Sequence, residues 1–311
     1  MRGIVAMLQI SDSWPEAQTT RPFWKLFILC LATTAAICAA VLIFVVGIAV
    51  AKVFGLPFPS PTILEVTHPG LENEHLLLGT VAFAFFLTGL AVLVPAKLVY
   101  RTSACSMLFP SRREWLLYGV WGALMTLVAY IIVSTFLSEG QGLEETPLAE
   151  AIRGGFGGRY LLANIIFLFV MAATEEIVCR GVFLHVTRTF FRSPAVLCVA
   201  NGLFFSLLHA EFDPVVFFAR FVSGALWTWY TLRSGSIAFA VASHWMGNLF
   251  IALSQSPIYE SAEESGTLQD LLAILSVEAI VLGLFVLLMR RSDLVRRLGR
   301  GVKPNSPSGR R

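Results

Sequence analysis

Eight stretches of roughly twenty apolar residues punctuate this chain, and they leave few folds open to it. They run approximately over 26–49, 76–96, 115–137, 160–186, 194–210, 214–232, 235–254 and 268–289. A helix needs about 20 apolar residues to cross the hydrocarbon core of a bilayer. In that medium each backbone N–H and C=O must find its partner inside the protein, which a helix provides and an open strand does not. The spacing predicts an all-α, polytopic membrane protein of about eight transmembrane helices. At 56% hydrophobic and 14% charged residues, the composition excludes an ordinary soluble enzyme. The two shortest spans flank Glu211–Phe212–Asp213, a link tight enough to predict a helical hairpin.

Charge orients the spans. Lys97, Arg101, Arg112 and Arg113 follow the second span, Arg188 and Arg192 the fourth, and Arg233 the sixth. Arg290, Arg291, Arg296, Arg297, Arg300 and Lys303 follow the eighth. The alternate connections are acidic, with Glu65, Glu72 and Glu74, then Glu139, Glu144, Glu145 and Glu150, then Glu211 and Asp213, then Glu260, Glu263 and Glu264. Cytoplasmic loops carry the Lys/Arg excess, so both termini are expected in the cytoplasm. Arg153 and Arg159 depart from the pattern but share their loop with four acids. The basic tail suits anionic lipid headgroups rather than nucleic acid. No cleavable signal is expected, because Asp12, Pro15 and Glu16 interrupt the first twenty residues. Of five cysteines, Cys30, Cys38, Cys179 and Cys198 fall in spans and Cys105 in a short loop, none with CxxC spacing. Neither a disulfide framework nor a thiolate metal site is indicated. The chain is expected as a multi-pass protein of a bacterial cytoplasmic membrane.

Polar chemistry concentrates between 160 and 254. Glu175 and Glu176 are adjacent within the fourth span, with Arg180 one turn on. A carboxylate at the bilayer centre costs roughly 2.5–3.5 kcal/mol, so embedded acids point to function. Three pairs stand at i,i+4 and share a helical face: Glu176 with Arg180, Phe205 with His209, and His244 with Asn248. Glu175 lies about 100° around from Glu176. Glu176 is therefore expected to pair with Arg180, leaving Glu175 to face something else. Hydrolysis of an amide needs an activated water, a base and donors for the oxyanion. Glu175 suits the base, His209 the water or the leaving amine, and His244 with Asn248 the oxyanion. Phe205 reads most simply as packing. Ser206 and Ser243 adjoin the histidines without a GxSxG nucleophile setting. Arg220 is expected to pair with Glu211 or Asp213 or to line the substrate path, and Glu278 is an embedded acid with no evident partner. Depth raises a difficulty. If the fourth span begins at Tyr160, Glu175 sits about 22 Å down, too deep to meet His209; a start near Phe167 gives about 12 Å.

The ordered motifs EExxxR, FxxxH and HxxxN, here Glu175–Arg180, Phe205–His209 and His244–Asn248, resemble those of the CPBP family of CAAX proteases and bacteriocin-processing enzymes, also called the ABI family. The stretch SGALWTWYTLRSGSIAFAVASH is also similar to the family's glycine-bearing helix, arginine–glycine turn and next helix. The resemblance covers about 160–254. It implies an eight-helix intramembrane endopeptidase in which Glu175 and His209 position the water while His244 and Asn248 form an oxyanion hole, with Glu176, Arg180 and Phe205 in support. No cofactor is expected. Zinc is the minority alternative, since without HExxH it would need Glu175, His209 and His244 from three separate helices. The expected substrate is a membrane-embedded or lipidated polypeptide entering laterally from the bilayer. The rival readings are a non-catalytic scaffold or immunity protein and a proton-coupled transporter, although no internal repeat supports the latter. The expected organisation is a polar lead-in at 1–20, three helices and an outer loop at 21–159, catalytic helices at 160–254, a last helix with a basic segment at 255–300, and a disordered tail at 301–311. Within the outer loop, Pro147 to Arg153 is expected to form one short interfacial helix.

Overall fold

The computed structural model describes residues 23–54, 70–109, 115–137, 146–255 and 266–301. The lead-in at 1–20, the tail from 302, and Glu65, Glu139, Glu144, Glu145, Glu260, Glu263 and Glu264 lie outside the described residues. The described chain runs as α1 (Phe23–Val53), α2 (Gly70–Tyr100), α3 (Ala104–Leu108), α4 (Trp115–Leu137), α5 (Pro147–Arg153) and α6 (Gly157–Glu176). A π-helical segment (Ile177–Phe183) carries α6 without a break into α7 (Leu184–Thr187). Then follow α8 (Pro194–Leu208), α9 (Pro214–Ser234), α10 (Ala238–Ser254) and α11 (Leu268–Gly301). No strand occurs among the described residues.

Six helices, within 23–53, 71–100, 115–136, 157–187, 214–234 and 268–291, are long and apolar enough to cross a membrane. The chain is thus an all-α, integral, multi-pass membrane protein. The other two apolar segments, α8 and α10, are helices of 15 and 17 residues. At 1.5 Å per residue, α8 rises only about 22 Å, short of the roughly 30 Å hydrocarbon core. The short helix expected over Pro147–Arg153 forms as α5, with Thr146 capping its first turn and Pro147 at its start, where a missing N–H costs nothing. Cys105 lies in α3, a short helix the apolar pattern did not announce.

Helix α1 packs on α2, and α2 on α6 and the π segment. Helix α10 is held between α4 and α6 and also touches α9, while α11 closes against α4 and α9. Tyr230, Phe239 and Phe285, with ring centroids 4.7–4.9 Å apart, join α9, α10 and α11 in one buried cluster. Helices α8 and α9 form the expected hairpin, and glycine lets them approach closely. A Cβ on Gly202 would stand 2.6 Å from the Phe221 carbonyl oxygen, and one on Gly224 would stand 3.1 Å from the Gly202 Cα. Small residues at a helix crossing favour this contact in lipid, where hydrophobic burial drives little. At the other end of α9, Gly235 takes φ 72°, the left-handed cap that turns the chain into α10.

Candidate active site

The last two residues of α6 point in different directions. Glu176 is fully buried, as is Arg180 in the π segment, and the Arg180 Nη1 donates to Glu176 Oε1 at 2.8 Å. The guanidinium also donates from Nη2 to the Gly224 carbonyl at 2.8 Å and from Nε to Thr228 Oγ1 at 3.4 Å. Its carbon lies 4.7 Å from the Phe205 ring centroid and 5.4 Å from that of Trp227. A buried cation is tolerable only when paired and hydrogen-bonded. Here the partners come from α6 and α9, so Arg180 ties the two helices together.

Glu175 turns instead toward two imidazoles. Its Oε2 lies 3.6 Å from His209 Nε2 and 3.8 Å from His244 Nε2, with 17% of the side chain exposed. Both separations exceed a hydrogen bond. They leave the three atoms facing one another around a small gap.

Each ring is fixed through its other nitrogen. His209 caps the C-terminus of α8, and its Nδ1 lies 2.8 Å from the Phe205 carbonyl oxygen. His244 Nδ1 lies 3.1 Å from Glu176 Oε1. A carbonyl or carboxylate oxygen accepts and does not donate, so Nδ1 carries the proton in both rings. That leaves each Nε2 toward Glu175. Aromatic contacts complete the support. Trp227 stacks on His244, while Phe205 meets His209, His244 and Trp227 edge-on at 4.7, 5.8 and 5.5 Å.

Helices α6, α8 and α10 therefore bring Glu175, His209 and His244 together. Asn248 stands one turn beyond His244 on the same helix, half-buried; among the described residues it makes no hydrogen bond to the carboxylates or imidazoles. Phe205 does more than pack. It supplies the acceptor that sets the His209 ring and a face for the Arg180 guanidinium. Pairing of Glu176 with His244 as well as Arg180 was not anticipated, nor were Trp227, Gly224 and Thr228. Their only sequence signal is a run of small and aromatic residues between the histidine motifs. Arg220 pairs with Glu211, its Nη1 donating to Oε2 at 2.6 Å. Glu278 has a partner after all, accepting a hydrogen bond from the Ser223 side chain.

The depth difficulty does not keep the two residues apart. Helix α6 begins at Gly157, before Tyr160, yet Glu175 still meets His209. As for zinc, among the described residues no three His, Cys, Asp or Glu side chains come together as a metal-holding group. No step below passes through a metal.

Comparison with known proteins adds a family. Residues 158–250 match the model described as Type II CAAX prenyl endopeptidase Rce1-like. Over 99 residues the chain is 27% identical to an uncharacterized protein, YyaK, of Bacillus subtilis (strain 168), an alignment covering 30% of this chain and 33% of that protein. The chain thus matches about a third of the length of this curated relative. No solved structure matches.

Proposed function

We propose that this chain, whose residues 158–250 match the model described as Type II CAAX prenyl endopeptidase Rce1-like, is an intramembrane endopeptidase hydrolysing a peptide bond of a membrane-anchored or lipidated polypeptide. The observation that carries the reading is the approach of Glu175 Oε2 to the Nε2 atoms of His209 and His244, at 3.6 and 3.8 Å. An ionised Glu175 and a neutral His209 both accept at these atoms. One water donating to both is held with its oxygen lone pair free for the substrate carbonyl.

Glu175 takes the water proton as the oxygen attacks the carbonyl carbon. The tetrahedral oxyanion then needs donors already in place. His244 supplies one from Nε2–H, and the Glu176 carboxylate on Nδ1 supports the positive charge that the ring holds while it donates. Asn248 supplies a second from its carboxamide. As the C–N bond breaks, the proton held by Glu175 passes to the leaving amine, directly or through His209. Glu176, Arg180 and Phe205 hold this set in register without touching the substrate.

Residues 160–254 are then the catalytic unit, with the remaining helices supplying packing and lipid contact and both termini on the cytoplasmic side. The test is cleavage of a prenylated peptide by the purified protein in liposomes, read by mass spectrometry against Glu175→Gln. Shortened peptide with the wild type and none with the variant is expected. No product from the wild type, or equal product from both, would refute the assignment.

A further inference from the structure

Three consecutive residues of α10 reach three different groups. Ser243 and Thr126 of α4 bring their hydroxyl oxygens to 2.6 Å, both side chains buried. His244 Nδ1 lies 3.1 Å from Glu176 Oε1, and the Trp245 indole donates to the Ile165 carbonyl of α6 at 3.0 Å. Successive helical residues diverge by about 100°, so these bonds grip α10 from two sides. The α4 side is built for close approach. A Cβ on Gly122 would stand 2.6 Å from the Phe239 carbonyl oxygen, and one on Gly247 would stand 3.3 Å from the Tyr130 ring. Gly122, Thr126 and Tyr130 thus meet Phe239, Ser243 and Gly247 in matching steps of four, the rows along which helices interlock. Glycine at the outer two contacts brings the helices near, but such packing tolerates a small rotation. The hydroxyl pair at the middle contact is directional and does not.

We propose that Thr126 is a positioning residue for His244, fixing the rotation of α10 that aims the His244 Nε2 toward Glu175. It lies outside the matched residues 158–250, on a helix otherwise credited with packing. The effect on turnover rests on the peptidase reading above; the placement of the ring does not. A side-chain tip stands about 6 Å from its helix axis, so a turn of about 15° carries it about 1.5 Å. Misplacement of about 1 Å costs up to about a hundredfold in rate. Stability is affected less, because a Ser243 hydroxyl released from Thr126 can bond a carbonyl of its own helix. Thr126 therefore acts through His244 without touching the substrate.

In liposomes, Thr126→Val should lower kcat for a prenylated peptide roughly ten- to hundredfold with KM within about twofold, because His244 acts in the transition state. Thr126→Ser, which keeps the hydroxyl, should recover most of the loss. Ser243→Ala removes the same bond from the other helix, and the double variant should lose no more than the worse single one. The ring is read independently by nitrogen solid-state NMR of histidine-labelled protein in lipid bilayers, with the His244 signal assigned by its absence from His244→Ala. The wild type should show one tautomer with the proton on Nδ1, Thr126→Val a mixture, and Thr126→Ser the wild-type signal. Serine and threonine also serve simply as glue between membrane helices. In that case Thr126→Val lowers thermal stability alone. Unchanged kcat and His244 signal, a change confined to KM, or additive losses in the double variant would overturn the proposal. A changed His244 signal in a protein whose wild type cleaves nothing would leave the positioning role standing and refute the peptidase reading. Cleavage unaffected by Thr126→Val, with an unmoved signal, would do the reverse.

Discussion

The indole of Trp227 lies nearly parallel to the imidazole of His244, with centroids 4.4 Å apart and planes inclined by 28°. The two residues sit on α9 and α10, joined by the Gly235 turn. The same indole reaches the Arg180 guanidinium. Trp227 therefore packs between the cation that neutralises Glu176 and the ring that Glu176 orients.

Trp227→Leu keeps an apolar side chain but removes that flat face. Aromatic pairs contribute about 0.5–1.5 kcal/mol beyond area burial. Thermal stability should fall by about that amount, while kcat falls roughly tenfold or more with little change in KM, since His244 is asked to act in the transition state. Steady-state kinetics and differential scanning fluorimetry on the same preparation check both halves.

Arg180→Ala strands Glu176 in the core and removes the links to Gly224 and Thr228. Breaking a buried pair by deleting one partner costs about 3–5 kcal/mol. Folded yield should drop sharply, whereas Glu175→Gln should purify as well as the wild type. Size-exclusion profiles in detergent decide it, and equal yields would contradict the clamp.

On the proposed reading, in which Glu175 and His209 hold the water, turnover needs no metal. Strong chelation followed by gel filtration should leave turnover within about twofold, a change of only about 0.4 kcal/mol in the barrier. Loss of turnover restored by one metal alone would show that Glu175, His209 and His244 are ligands.

Gly202→Val would push a side chain into the Phe221 carbonyl, 2.6 Å from the first added carbon. The α8–α9 crossing must then open, carrying His209 away from Glu175. Overpacking of this kind costs typically 1–3 kcal/mol. Cleavage should be lost more completely than stability, measurable as residual activity in the fraction that remains folded.

Much of the architecture was legible because apolar length is a direct record of the bilayer. The eight segments are all helices, and α5 forms over Pro147–Arg153 as its proline and polar flanks predict. The division between Glu175 and Glu176 was legible too, since adjacent helical residues diverge by about 100°. Other features had no local signature. Trp227 reads as one more apolar residue of α9 until the fold sets it on His244. Phe205 reads as packing because its decisive atom is a backbone oxygen, which every residue carries. Counting residues from Tyr160 put Glu175 too deep to meet His209, yet the two side chains approach within 3.6 Å, a juxtaposition that residue counts along single spans do not encode.

The π-helical stretch between Ile177 and Phe183 makes this part of the chain intolerant of gaps. A π turn accommodates one residue more than an α turn, so the backbone there carries a built-in insertion with Arg180 inside it. Excising a residue between Glu176 and Arg180 would change their spacing from i,i+4 to i,i+3 and break up the buried pair. The connection after α7 can change in length cheaply; this turn cannot, since the Glu176–Arg180 pair that ties α6 to α9 lies across it.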